Sequence, residues 1–120
     1  MTLKIENELI ELKYSFRSAI YFEQITGHNI DFTNFTGNDL ITLFYSVFIA
    51  SLQKEKKPII DMITFLDIVD ENGGDKCIME FSNWYIDIMN KQYEVLNSTE
   101  KEEQKETEIK NGKIVSGKKK

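Results

Sequence analysis

Residues 12–30 read LKYSFRSAIYFEQITGHNI and change from a strand-like alternation to a helical pattern within a few positions. Before Ser15, apolar and polar residues alternate as in a half-buried β-strand, and after it apolar residues recur at three- and four-residue spacing. Ser15 is a suitable N-cap for a helix, and Gly27 is a suitable left-handed residue at its end. We therefore predict a strand that leads directly into a helix running to about Thr26.

A second short alternation precedes this strand. The apolar positions of the two segments, residues 3–6 (LKIE) and 10–14 (IELKY), are Leu3, Ile5, Ile10, Leu12 and Tyr14. Asn7 and Glu8 lie between the segments and predict a hairpin turn, because Asn tolerates a positive φ. We expect a two-stranded hairpin that packs against helices, since an isolated hairpin is only marginally stable in water.

A linker and a second helix follow the first helix. Residues 28–35 (HNIDFTNF) are too apolar for a flexible loop, so we expect this linker to lie across the body of the protein. Thr36 and Asp39 form a capping-box pattern that opens a helix over residues 40–52. Both sides of this helix are apolar, so it is either central in its domain or covered by a partner.

Two more helices are predicted after residue 57. Pro58 ends the second helix and suits the first position of a third, which Gly73 and Gly74 end. Asp75 is placed to cap a fourth helix, which is clearly amphipathic and runs to Leu96.

The composition changes abruptly at Asn97. Residues 99–120 contain no aromatic residue and few aliphatic ones, so they bury too little surface to offset the entropy of ordering. We predict an α+β fold, a hairpin followed by about four helices and mostly helical. It forms a single domain over residues 1–98 and carries a disordered charged tail over residues 99–120.

The charge distribution argues against nucleic acid as a partner. Residues 99–120 hold five Glu and seven Lys, a net charge of +2, which leaves −7 on residues 1–98. A duplex-binding domain draws its affinity mostly from neutralising phosphates, which an acidic body does not do. No apolar run approaches the length of a membrane span, and no signal peptide is visible, so we expect a soluble, cytoplasmic protein without membrane contact.

The residue types needed for catalysis or metal binding are scarce. His28 is the only histidine and Cys77 the only cysteine, and the two are far apart in sequence. One His and one Cys do not supply a typical zinc site, and the glycines form no phosphate-binding loop. We therefore expect no enzymatic activity, no catalytic or metal site and no cofactor.

Glu23 raises a separate question, because it falls within the apolar stripe of the first helix. At ~100° per residue it comes within ~20° of Phe16. It either lies at the edge of the stripe and reaches solvent, or accepts N–H bonds from the linker after Gly27 or from residues 36–38. In the second case Glu23 has a structural role and joins the first helix to the second. Gly27 also has a structural role, because it ends the first helix.

These residues carry a family resemblance. A strand leading into residues 12–30, followed by the helix DLITLFYSVFIASL (39–52), resembles the tail assembly chaperones of long-tailed bacteriophages. In those proteins the first helix has the form Φ-x-x-Φ-x-x-F-E-x-x-x-G, with Φ apolar. An apolar linker and two or three aromatic-rich helices follow it, as they do over about residues 3–96 of this chain. The matching residues are Phe16, Ala19 or Ile20, Phe22, Glu23 and Gly27.

The resemblance implies a non-enzymatic role in phage or prophage virion morphogenesis. A member of this family binds the tape-measure protein, keeps its hydrophobic helices soluble and helps to recruit tail-tube subunits in the bacterial host cytoplasm. The other hypothesis is a small acidic helical regulatory protein of the antitoxin or anti-repressor type. The neighbouring genes would separate the two.

A protein that shelters the helices of another chain needs an apolar surface. We predict that this surface combines the second apolar side of helix two with the aromatic residues of the linker. Two alternatives stay open, burial of these side chains in the chain's own core and a homo-oligomer that covers them. The predicted partner-binding residues are Phe32, Phe35, Ile41, Tyr45 and Ile49.

Overall fold

The computed structural model describes the backbone of residues 1–110 and the side chains of residues 1–92. A two-stranded antiparallel hairpin is followed by four α-helices, which confirms the predicted fold class. A 3-10 turn, Phe32–Asn34, lies in the linker. The elements are β1 (Thr2–Ile5), β2 (Glu8–Glu11), α1 (Phe16–Thr26), α2 (Gly37–Lys54), α3 (Met62–Glu71) and α4 (Asp75–Lys110).

The chain divides into two compact units, Met1–Tyr85 and Ile86–Lys120. The first contains the hairpin, the linker, α1 to α3 and the start of α4, and the second contains the rest of α4. The helical backbone is described as far as Lys110, beyond the position at which we predicted the domain to end. Side chains after residue 92 lie outside the described residues, and the disordered tail over residues 99–120 stays a prediction.

The hairpin turn lies one residue earlier than predicted. Ile5 pairs with Glu8, so the turn residues are Glu6 and Asn7 rather than Asn7 and Glu8. Glu6 has a φ of 54°, which a side chain with a Cβ adopts reluctantly. Both registers place the same apolar residues on one face, so the alternation alone does not distinguish them.

Tertiary contacts select the observed register. The Asn72 amide receives a hydrogen bond from the Lys4 N–H (2.9 Å) and donates one to the Lys4 carbonyl (2.9 Å), which closes the outer edge of β1. Beyond β2, Ser51 Oγ accepts the Lys13 N–H at 2.9 Å. Lys57 Nζ lies 2.7 Å from Glu8 Oε2 beside the turn. Side chains from α2 and from the residues that follow α2 and α3 therefore hold the hairpin in place.

Helix α1 has the predicted bounds but a different buried face. Gly27 has a φ of 82°, and its N–H donates to the Glu23 carbonyl at 2.8 Å, so it ends the helix as predicted. Ser18 and Phe22 are fully buried, whereas Phe16, which we placed in the apolar stripe, is 78% exposed. The buried face is therefore rotated away from Phe16.

Helix α2 is the central element of the first unit. Of the two interpretations of its apolar sides, a central position or cover by a partner, the structure shows the first. Thr36 and Asp39 form the predicted capping box, in which each side chain accepts the other residue's backbone N–H (3.0 and 3.2 Å). The Phe44 ring stacks on Phe81 at a centroid distance of 4.3 Å and meets Phe65 edge-on at 5.0 Å. The buried residues of α2 are Thr42, Leu43, Phe44, Ser46, Val47, Phe48, Ile49, Ala50, Ser51 and Leu52.

The start of α3 differs from the prediction. We expected Pro58 at its first position, but α3 begins at Met62, and the Asp61 side chain caps it by accepting the Thr64 N–H at 2.8 Å. Helix α2 ends with Lys56 at a φ of 60° and the Lys57 N–H donating to the Leu52 carbonyl, the bond of a Schellman motif. The intervening residues 58–61 are non-helical, because the Asp61 cap determines where α3 starts.

Candidate partner-binding surfaces

The linker lies across α1 through a cluster of aromatic rings, as predicted. Phe35 stacks on the buried Phe22 ring with a centroid distance of 6.3 Å and an interplanar angle of 21°. His28 meets the same ring edge-on at 5.6 Å. Phe32 packs on Phe35 at 5.1 Å and on Tyr85 at 6.3 Å, yet it remains 57% exposed. Of the two predicted linker residues, Phe32 is thus the accessible one and Phe35 its half-buried support.

Hydrogen bonds around Asp31 hold the turn that carries Phe32. Asp31 Oδ1 accepts the Thr33 N–H at 3.0 Å and the Thr33 hydroxyl at 2.6 Å, and Oδ2 accepts from the Asn34 amide at 3.2 Å. The bond from the Thr33 hydroxyl is the largest contribution to a lowered Asp31 pKa. These hydrogen bonds favour the ionised carboxylate and hold together the turn that presents Phe32.

The predicted face of α2 is mostly occupied by the protein itself. The Tyr45 hydroxyl donates to the Ile60 carbonyl at 2.6 Å, and its ring meets Phe65 edge-on at 5.4 Å. Burial, and secondly the negative charge of Asp61, raises the pKa of Tyr45. Ile41 is half-buried. Ile49 is only 5% exposed and belongs to the core, so its assignment to a partner surface is corrected.

The structure resolves the question about Glu23 in favour of the exposed edge. Its side chain is exposed, and its backbone carbonyl accepts the Gly27 N–H. The buried face centres on Ser18 and Phe22, and Glu23 is ~100° around the helix from Phe22. The bond to a helix start that we considered for Glu23 is made instead by Asp39, which accepts the Thr36 N–H.

A groove between α1 and α2, which the sequence did not predict, is the larger of two described cavities. Its volume is about 690 Å³. Gln53 Oε1 accepts hydrogen bonds from Arg17 Nη1 (3.1 Å) and from the Tyr21 hydroxyl, which orients the guanidinium at the rim. Within residues 1–92, neither Arg17 nor Lys54 forms an ion pair. The groove is lined by Ser15, Phe16, Arg17, Ile20, Tyr21, Ala50, Gln53 and Lys54.

The outer face of α3 is a second unpredicted surface. Phe65, Ile68 and Val69 are buried, while Ile63 is 74% and Leu66 41% exposed on the opposite side. The spacing of Ile63 and Leu66, three residues apart, is the signal that could have identified this face. Asp67 and Asp70 are exposed in the same ~100° sector of the helix.

The reactive side chains lie in separate places. Cys77 is buried, and burial, with a smaller effect of the Glu80 charge, raises its pKa to about 11, so it is a protonated thiol at neutral pH. His28 Nε2 lies 3.5 Å from Asp39 Oδ1 at the start of α2. Among the residues that the structure describes, no group of three or more His, Cys, Asp or Glu side chains is placed to hold a metal ion.

Comparison with known proteins yields no relative: no family model, curated protein or solved structure matches this chain. In the described part of the chain, no helix is both long and apolar enough to cross a bilayer. The candidate surfaces are therefore described from their own geometry. They are the exposed Phe32 ring, the α1–α2 groove and the outer face of α3.

Proposed function

We propose that this chain is a phage or prophage tail assembly chaperone. It binds the tape-measure protein, keeps it soluble and helps to recruit tail-tube subunits in the cytoplasm of the bacterial host, without enzymatic activity. The order of elements supports this proposal, since a hairpin, a helix ending at Gly27, an apolar linker and further aromatic-rich helices follow one another along residues 3–92.

The single observation that carries the proposal is the exposed ring of Phe32. Scattered exposed apolar residues are normal on a protein surface. Phe32 differs because it is held in place, by the Phe35 ring beneath it and by the hydrogen bonds of Asp31 to its own turn. An apolar side chain that is already fixed loses little conformational freedom on binding, which favours association with an apolar partner helix.

Co-expression with the tape-measure protein tests this function. We expect the wild-type chain to co-purify with the tape-measure protein and to raise its soluble fraction. Phe32→Asp should lower both the co-purified amount and the gain in soluble fraction at least tenfold, because a carboxylate would be desolvated at the contact. Gln24→Asp adds the same charge to an exposed position of α1 and serves as the matched control. Thermal melting establishes that both variants are folded.

Three results would contradict the proposal. One is a tape-measure protein that stays insoluble with the wild-type chain, and another is equal binding by Phe32→Asp and Gln24→Asp. The third is stable association with a toxin or repressor encoded by an adjacent gene, which would favour the regulatory hypothesis.

A further inference from the structure

Two surfaces of this chain have complementary chemistry. The α1–α2 groove combines apolar walls with two cationic side chains, and the outer face of α3 combines apolar side chains with two carboxylates. A specific contact requires that apolar surfaces face each other and that opposite charges lie beside them. Two surfaces of this one chain meet that requirement.

The groove stands out electrostatically from the rest of the protein. Residues 1–98 carry a net charge of −7, yet Arg17 and Lys54 both lie at this groove, and neither is neutralised by a carboxylate within residues 1–92. Gln53 holds the Arg17 guanidinium without cancelling its charge. A ligand for this groove should therefore be apolar at its centre and anionic beside it.

The groove also has an apolar anchor. Phe16 begins α1 and is the most exposed large apolar side chain in the described residues, at 78%. Ile20 lies one turn further along α1, and the nearly buried Ala50 lines the groove from the α2 side. The lining residues of the groove span residues 15–21 at the start of α1 and residues 50–54 at the end of α2.

The outer face of α3 has the chemistry of that ligand. The helix has ten residues and is thus about 15 Å long. Ile63 and Leu66 form its apolar half, and Asp67 and Asp70 follow in the same sector toward its C-terminus. Hydrogen bonds and contacts on the opposite side of α3 are used within the chain, whereas Ile63, Leu66, Asp67 and Asp70 of the outer face are exposed among the described residues.

We propose that the α1–α2 groove of one copy binds the outer face of α3 of a second copy. Ile63 and Leu66 pack against Phe16 and Ile20, while Asp67 and Asp70 lie toward Arg17 and Lys54. Because the two surfaces differ, the contact is heterologous, and each copy keeps one groove and one α3 face for further copies. This inference is independent of the proposed function, since it concerns only contacts between copies of the chain.

Sedimentation equilibrium at chain concentrations from about 10 μM to 1 mM tests the contact, since small interfaces associate in this range. We expect the mean mass of the wild type to rise with concentration and to fall again in 1 M salt, which screens the ion pairs. Phe16→Asp and Ile63→Asp should each weaken association at least about tenfold, because either places a carboxylate in the apolar contact. Both substitutions lie in the first turn of a helix, where the dipole favours an acidic residue, so the fold is retained.

Mixing the two variants gives the sharpest result. Phe16→Asp retains an intact α3 face and Ile63→Asp an intact groove, so an equimolar mixture should form a 1:1 dimer that does not grow further. Met79→Asp, at an exposed apolar position of α4, is the control and should associate as the wild type does.

Several outcomes would overturn the inference. They are a wild type that stays monomeric throughout the concentration range, association that both variants leave unchanged, and a mixture that remains monomeric. Equal weakening by Met79→Asp would show that association depends on general hydrophobicity rather than on this contact.

Discussion

Asn72 satisfies three backbone groups with a single side-chain amide. Its Oδ1 accepts the Lys4 N–H, and its Nδ2 donates to the carbonyls of Lys4 and Ile68, at 2.9, 2.9 and 2.8 Å. The amide thus pairs with β1 as a neighbouring strand would, and it joins the hairpin to the end of α3. Sequence patterns do not reveal such a contact, because residues 4 and 72 are related only by the tertiary fold.

Replacing Asn72 with Ala should destabilise the protein by about 1–3 kcal/mol, because the Lys4 N–H and carbonyl at the outer edge of β1 lose their partner. Urea unfolding followed by circular dichroism measures the change. Asn83→Ala, at an exposed position within α4, is the control and should stay within about 0.5 kcal/mol of wild type. Equal stability of the two variants would show that the edge contact contributes nothing.

Two glycines separate the effect of backbone conformation on a Gly→Ala substitution from the effect of the space available for the added Cβ. An added Cβ meets nothing within 4 Å at either Gly27 or Gly37, but only Gly27 has a positive φ, of 82°. Gly27→Ala should destabilise the protein by about 1 kcal/mol, and Gly37→Ala, at the start of α2, should stabilise it by up to about 1 kcal/mol. Thermal melts of both variants check the opposite signs, and a shared sign would contradict the explanation.

At the scale of elements, ends set by local chemistry were predictable and ends set by packing were not. The capping box of Thr36 and Asp39 and the Gly27 stop depend on neighbouring residues, and both were predicted correctly. Lys56 occupies a left-handed position that usually takes Gly, so the sequence contains no signal for it. Pro58 was misread as a helix start, because Asp61 provides the cap three residues later.

The same distinction applies to the faces of the helices. Helix α2 is apolar on all sides, so its pattern could not show that Ile49 is buried while Ile41 is only partly covered. In α1 the buried positions include Ser18, a polar residue that no hydrophobic pattern selects. Because the hydrophobic pattern placed Phe16 in the buried stripe and left Ser18 out of it, the exposed groove beside Phe16 was not predicted.

Lys56 provides a test of the strain at the end of α2. Lys56→Gly should stabilise the protein by about 0.5–1 kcal/mol, since Gly adopts a φ of 60° without a Cβ clash. Lys54→Gly, within the last turn of the same helix, should destabilise it by up to about 1 kcal/mol. Denaturant midpoints measure both changes, and a destabilising Lys56→Gly would argue against strain at this position.

At the scale of the whole molecule, the core of the first unit protects two weak acids. Burial is the main cause that raises the pKa of Cys77 from 9.0 to about 11 and that of Tyr85 from 10.0 to about 12. The charge of Glu80 acts in the same direction on Cys77, and Tyr14 does so on Tyr85. In the unfolded chain both groups lose their protons at lower pH than in the folded protein.

Stability should therefore fall in alkali. The contribution of Cys77 is complete below about pH 9 and is lost as the pH rises to about 11, and that of Tyr85 is lost between about pH 10 and 12. A shift of two units corresponds to about 3 kcal/mol, which sets the upper limit for Cys77. Urea unfolding at pH 7.5 and 10.5 measures the loss, and Cys77→Ala should reduce it. A free energy of unfolding that is equal at both pH values would contradict this account.

The hydrogen bonds of Asn72 to the edge of β1 also affect the rate at which this residue deamidates. Asn72 precedes Gly73, and in an Asn-Gly pair the glycine backbone nitrogen readily attacks the side-chain amide carbon and displaces ammonia. The resulting succinimide hydrolyses to aspartate or isoaspartate. In the folded chain the amide is held by Lys4 and Ile68, and the Gly73 N–H donates to the Asp70 carbonyl at 3.3 Å, so neither reacting group is free. Deamidation at this pair should consequently proceed through opened molecules, and its rate records how often the hairpin detaches from α3.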